Sequence, residues 1–141
     1  MKLSWEDYIS ITIHQTDLSL TNYIKNRLAP FNLAPEQNLI LMLLWEKDGL
    51  SQNEISMKLD KDKTNIARMV VNLEGKGIIR RTVSPYDRRS FEVYLTDKGK
   101  ELGEKVIPIT EEFNELVING ISSDELAELS RILQKMRSNV Q

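Results

Sequence analysis

Four side chains within six positions, Lys63, Thr64, Asn65 and Arg68, are of the types that recognise double-stranded DNA. An arginine reaches the acceptors of guanine, an asparagine pairs with adenine, and a threonine bonds a base or touches a thymine methyl group. Lys63, together with Ser51 upstream, suits phosphate oxygens, which set register but carry no base identity. Further on, Arg88 and Arg89 stand side by side in the turn-rich stretch Ser84-Pro85-Tyr86-Asp87-Arg88-Arg89-Ser90. Paired arginines at a loop tip match the negative potential of a narrow, A-T-rich minor groove. A solvated helix face uses the same residue types, and an exposed Asp87–Arg89 ion pair is worth only about 0 to 1 kcal/mol. The elements that carry these side chains therefore decide between the two readings.

Other chemistries have little to draw on. The 141 residues include no cysteine and one histidine, His14. That excludes a disulfide framework, thiolate metal sites, a cysteine nucleophile and a histidine cluster for zinc, and no cofactor or metal is expected. There is no G-x-x-x-x-G-K-[ST] loop, H-E-x-x-H motif, G-x-S-x-G elbow or cofactor-binding glycine fingerprint, so an enzyme is not expected. No apolar run reaches the roughly 18 residues that a membrane helix needs. The start, Met1-Lys2-Leu3-Ser4-Trp5-Glu6-Asp7, turns acidic at once instead of building a signal peptide. A cytoplasmic protein with no membrane partner is the expectation.

Charge is unevenly spread. The net charge is only −2, which does not suit a protein whose whole surface binds polyanions. Yet residues 58–100 hold eleven basic and six acidic side chains, a local +5, while the remainder holds eight basic and fifteen acidic, −7.

Hydrophobic spacing and capping residues place the elements. Trp5, Ile9, Ile13, Leu20, Ile24 and Leu28 predict a first helix capped by Ser4 and running to Arg27 or Leu28, with Ile11 and Leu18 on a second apolar face. Pro35 opens a second helix, apolar on every side from Leu39 to Trp45 and so expected to be central and buried. Ser51 and Glu54 form a capping box for a short helix holding Ile55, Met57 and Leu59. Asp62 caps the next, whose buried side is Ile66, Met69 or Val70, and Leu73, with Gly75 and Gly77 closing it in left-handed conformations. Two strands follow, Ile78 to Val83 and Phe91 to Leu95. Thr96 caps a long helix with Pro108 inside it, and Ser122 to Glu125 is a second capping box opening the last helix.

A capped short helix, a tight connection and a second helix with polar residues at its exposed start is the layout of a helix-turn-helix, and strand, basic loop and strand then form a wing. From Leu50 through Thr96 the chain resembles the MarR family of bacterial transcription regulators. The most specific piece is Asp87-Arg88-Arg89-Ser90-Phe91-Glu92-Val93-Tyr94-Leu95-Thr96. It is supported by Asp62-Lys63-Thr64 and by Leu73-Glu74-Gly75-Lys76-Gly77-Ile78-Ile79-Arg80-Arg81.

The resemblance implies a mainly α (α+β) fold within one domain, residues 1–141. Residues 35–96 would be a winged helix-turn-helix DNA-binding lobe, and residues 1–34 and 97–141 helices that intertwine with a second subunit. It implies a homodimer bound to a pseudo-palindromic operator, most often as a repressor, with Asp87 bracing the wing through an arginine and Arg88 or Arg89 entering the minor groove. Relatives often bind aromatic or phenolic acids, for which Trp5, Tyr8, His14 and Trp45 are the candidate pocket residues here. A reading from another class also stands: a winged helix can be a protein-interaction module, an anti-repressor or assembly adaptor that reads no DNA.

Overall fold

The computed structural model describes residues 2–141, which fold into six α-helices and one small antiparallel sheet. The order is α1 (Ile9–Leu28), α2 (Pro35–Glu46), β1 (Leu50–Ser51), α3 (Gln52–Leu59), α4 (Lys63–Gly75), β2 (Ile79–Val83), β3 (Phe91–Leu95), α5 (Asp97–Val117) and α6 (Ser123–Val140). By contacts the chain divides into two compact units, Met1–Thr110 and Glu111–Gln141.

The core of the first unit is built from the spacing seen in the sequence. Leu28 of α1, Ile40, Leu41 and Leu44 of α2, Ile55 of α3, Ile66, Val70 and Leu73 of α4, Ile79 and Val93 of the sheet and Val106 of α5 are almost completely buried. Residues three or four apart lie on one helix face, so α4 turns Ile66, Met69, Val70 and Leu73 inward and leaves the other face to solvent. The capping residues do what their types predict. The Ser51 hydroxyl accepts the N–H of Glu54 at 3.0 Å, while the Glu54 carboxylate accepts the N–H of Ser51 at 3.3 Å. Asp62 accepts the Asn65 N–H at 2.8 Å. Ala34 has no capping side chain, but the N3 residue Gln37 still accepts its N–H at 3.1 Å.

Thr96 has two roles at once. Its hydroxyl accepts the Gly99 N–H, opening α5, and donates to the carbonyls of Gly77 and Ile78, so the start of α5 is stapled to the turn before β2.

Several expectations need correction. The first helix does not begin at Ser4: the Asp7 carboxylate accepts from both the N–H and the hydroxyl of Ser4, closing a single 3-10 turn at Trp5–Asp7. Tyr8 is then extended, and its carbonyl starts α1 by accepting the amides of Ile11 and Thr12. α2 is buried on one side only, since Leu39 and Met42 are about two-fifths exposed. Met57 is 81% exposed, because α3 turns only Ile55 and Ser56 fully inward. Gly75 remains helical, and Gly77 alone supplies the left-handed residue after α4, with φ +76°.

The sheet has three strands instead of two, in the order β1-β3-β2. Leu50 pairs with Val93 and Ser51 with Glu92, while β2 and β3 form the hairpin from Ile79–Leu95 to Val83–Phe91. Two residues show no periodicity of their own, so β1 exists only through its pairing with β3.

In the second unit, Ser122 and Glu125 form the expected capping box. The backbone N–H of Ser122 and then its hydroxyl contact hold the Glu125 carboxyl below its usual pKa. Glu128 is lowered in the same direction by Arg131, whose guanidinium it accepts at 2.6 and 2.9 Å.

Candidate nucleic-acid interface

The exposed face of α4 carries Lys63, Thr64 and Arg68 into solvent, with Asn65 half-buried between them. These side chains are not independent. Arg68 Nη2 donates to Asn65 Oδ1 at 2.6 Å, and Asn65 Nδ2 donates to Asp62 Oδ2 at 3.0 Å. The amide of Asn65 is thus engaged at both ends, its oxygen toward arginine and its nitrogen toward aspartate, which fixes which way it points. In the free chain Asn65 orients Arg68, and it keeps one amide hydrogen and one oxygen lone pair for a base edge. Ser51 lies at the start of the preceding helix; its oxygen is used by the cap, and its hydroxyl hydrogen can still be donated.

The connection that sets the angle between α3 and α4 is tied down on two sides. The Ser56 hydroxyl donates to the Lys61 carbonyl inside the turn. Outside it, Lys61 Nζ pairs with Glu36 Oε1 at 2.9 Å, linking the turn to the first turn of α2. Behind α4, Gln37 is buried at the start of α2, donates to Asn72 at 2.7 Å and accepts from Lys76 Nζ at 3.1 Å.

The wing tip is a closed hydrogen-bonded loop. Ser84 N–H donates to the Ser90 carbonyl and Ser90 N–H to the Asp87 carbonyl, both at 3.0 Å. The Ser84 hydroxyl accepts the amides of Tyr86 and Asp87 at 3.2 and 3.3 Å. Arg88 and Arg89 project exposed from this loop. The expected brace of Asp87 to an arginine guanidinium takes a different form: Asp87 Oδ1 accepts the backbone N–H of Arg89 at 2.9 Å. The carboxylate turns back onto the loop's own backbone, and both arginine side chains stand exposed.

A guanidinium brace does exist, at the base of the wing, between residues the sequence had not singled out. The Glu74 carboxylate at the end of α4 accepts from Arg81 of β2 at its backbone N–H, Nε and Nη2, over 3.3 to 3.5 Å. The same guanidinium lies 4.5 Å from the Phe91 ring centre. On the neighbouring pair, Arg80 stacks 4.7 Å over Tyr94. The Tyr94 hydroxyl donates to Glu92 at 2.8 Å, a bond that raises the phenol above its ordinary pKa.

Both partners of the brace are partly exposed, so the ion pair adds little by itself, and the aromatic contact contributes about 0.5 to 1 kcal/mol. Arg81→Ala should therefore cost about 1 to 2 kcal/mol in urea unfolding. Arg81→Lys should recover only part of the loss, since an ammonium lacks the planar fork. An Arg81→Ala protein as stable as wild type would show that the brace contributes nothing.

Of the candidate effector residues, Trp45 lines a cavity of about 340 Å³ with Leu44, Leu95, Lys100, Gly103 and Ile107. Its indole N–H donates to the Gly99 carbonyl at 3.0 Å. Trp5, Tyr8 and His14 stand exposed on the first turn and α1 and are not among the residues lining that cavity. Among the described residues no cluster of His, Cys, Asp or Glu could hold a metal ion, and no helix is long and apolar enough to cross a membrane.

A two-helix unit with a polar exposed second helix, followed by a basic-tipped hairpin on the same small sheet, defines a winged helix-turn-helix protein. The MarR family model matches residues 33–91, covering α2 through the start of β3. Over 109 residues the chain is 31% identical to the organic hydroperoxide resistance transcriptional regulator of Bacillus subtilis, covering 77% of this chain and 73% of that one. It is 33% identical over 101 residues to the uncharacterised regulator YdgJ of the same organism, covering 72% of this chain and 62% of YdgJ, less than two-thirds of that relative's length. In three dimensions it is similar to Staphylococcus aureus MepR in a DNA complex, with a TM-score of 0.86, 27% identity, and 95% and 99% of the two chains covered. The chain belongs to the MarR family, whose members named here are transcriptional regulators and not enzymes.

Proposed function

We propose that this chain regulates transcription as a homodimer, presenting two copies of α4 to successive major grooves of a pseudo-palindromic operator and acting as a repressor. The observation that carries the reading is the chain Asp62–Asn65–Arg68, which holds a guanidinium ready on the exposed face of α4 beside the basic wing. The DNA-bound state of MepR, a structural relative, supports it. The DNA-binding lobe is residues 35–96, with Lys63 and Ser51 on phosphates, Thr64 and Arg68 on bases, and Arg88 and Arg89 in the minor groove.

Residues 1–34 and 97–141 form the dimer region of a single functional domain. Its support is apolar surface left uncovered on one copy: Ile9 is 57% exposed and Ile13 40%, and Leu129 of α6 is 49% exposed. On each helix, large apolar side chains exposed in this way are surface that a partner chain could cover. A small aromatic or phenolic acid bound beside Trp45 would release the operator by favouring a dimer with the wrong spacing between the two α4 helices, since a ligand shifts states only by its differential affinity for them.

Two copies of α4 on one DNA face require half-sites about 10 base pairs apart. Selection of random duplexes by the purified protein at about 150 mM salt, where nonspecific electrostatic binding has weakened, should enrich an inverted repeat with that spacing. Sedimentation should give a dimer. Enrichment of no sequence, together with capture of a defined protein partner through the α4 face, would overturn this reading in favour of the protein-interaction module.

A further inference from the structure

Tyr86 stands at the apex of the wing with 94% of its surface exposed, and its side chain takes no part in holding the loop. The loop nevertheless holds Tyr86. Pro85 restricts the backbone just before it, the Ser84 hydroxyl accepts its N–H, and the Ser84–Ser90 bond closes the turn beneath it. An aromatic ring left in water on a pre-ordered turn is a binding group: it has two side-chain torsions to lose, an apolar body and a donor tip.

We propose that Tyr86 is a DNA contact of the wing, its ring lying against the deoxyribose wall of the minor groove and its hydroxyl donating to a phosphate oxygen, beside Arg88 and Arg89. This rests on the DNA-binding reading above. Charge selects the occupant. The two exposed arginines that follow Tyr86 in the same short loop repel the equivalent wing of a second copy and attract a polyanion. A minor groove offers, within one contact, the three things the tip can use: negative potential for the arginines, an apolar sugar surface for the ring and phosphate acceptors for the hydroxyl.

The test measures affinity for two duplexes at about 150 mM salt: one carrying the inverted repeat selected by the wild-type protein, the other a scramble of equal length. Tyr86→Ala should weaken binding about 5- to 10-fold on both alike, because sugars and phosphates carry no base identity. Tyr86→Phe, which keeps the ring, should lose about half as much on a logarithmic scale. The melting temperature of both variants should match wild type. Wild-type affinity for Tyr86→Ala, while Arg88→Ala binds weakly, would overturn the assignment and leave the DNA-binding reading intact. Weaker binding by Tyr86→Ala together with a dimer lost in sedimentation would overturn it and make Tyr86 an interface residue. A wild-type protein that binds neither duplex would overturn that reading and this inference with it.

Discussion

Arg68→Ala should lower affinity for the selected operator by about 5- to 150-fold per half-site, corresponding to about 1 to 3 kcal/mol for each bidentate base contact, and relax the sequence preference at one position of each half-site. Its affinity for scrambled DNA should fall far less. The argument rests on how Arg68 is held: Asn65 accepts its Nη2, and Asp62 fixes Asn65. A long side chain ordered before binding has less rotational freedom left to lose when it meets a base. Lys63→Ala offers the contrast. At the exposed first position of α4 it should weaken all sequences alike and reduce the salt dependence by about one counterion per subunit. Binding isotherms on both duplexes from about 50 to 200 mM salt separate the two. Equal losses on specific and scrambled DNA for both variants would remove Arg68 from the base-reading role.

Gly99→Ala should unfold the protein at markedly lower temperature, although helix propensity alone argues the reverse. In the first turns of an exposed helix, alanine for glycine gains up to about 1 kcal/mol. Here a β-carbon would sit well inside van der Waals contact of the Ile78 carbonyl oxygen and press on Leu95 at 3.2 Å. That carbonyl cannot easily retreat, because it accepts the N–H and the hydroxyl of Thr96, each at 3.0 Å. Overpacking against fixed backbone costs about 3 kcal/mol or more, which for a chain of this size is roughly 10 °C in melting temperature. Gly103→Ala is the milder case. Its β-carbon would meet the Trp45 indole at 2.7 Å, and a side chain can shift where a backbone carbonyl cannot. Thermal melts and urea titrations followed by circular dichroism read both, and a Gly99→Ala protein as stable as wild type would refute the close approach of α5 to β2.

What could be read without coordinates was local. Ser51 with Glu54, Asp62 with Asn65 and Ser122 with Glu125 are all three residues apart, so each cap is decided by the segment that contains it. The same holds for the inward stripe of α4, which follows from 3.6 residues per turn. The residues proposed to meet DNA were nominated by their types, which match base and phosphate chemistry, and by their places at a helix start and a loop tip. Asp87 shows the limit of that reading. Its type and place in the wing were visible, but whether it would bond a guanidinium or a backbone amide depended on the closure of the loop.

The remaining features depend on chain segments far apart in sequence. β1 is two residues with no pattern, and it becomes a strand only because Val93 and Glu92 arrive beside it. Glu74 and Arg81 are seven residues apart across a turn, and only the return of β2 along α4 joins them. Trp45 and Gly99 are 54 residues apart, and the need for a glycine there comes from the depth to which α5 packs. Sequence by itself determined the caps of α3, α4 and α6, the inward stripe of α4 and the basic character of residues 58–100, because propensity, capping and charge act over one turn. The wing brace, the strand β1 and the close approach of α5 to the Ile78 carbonyl were decided by tertiary structure, because contacts between distant segments depend on distances that composition and periodicity do not contain.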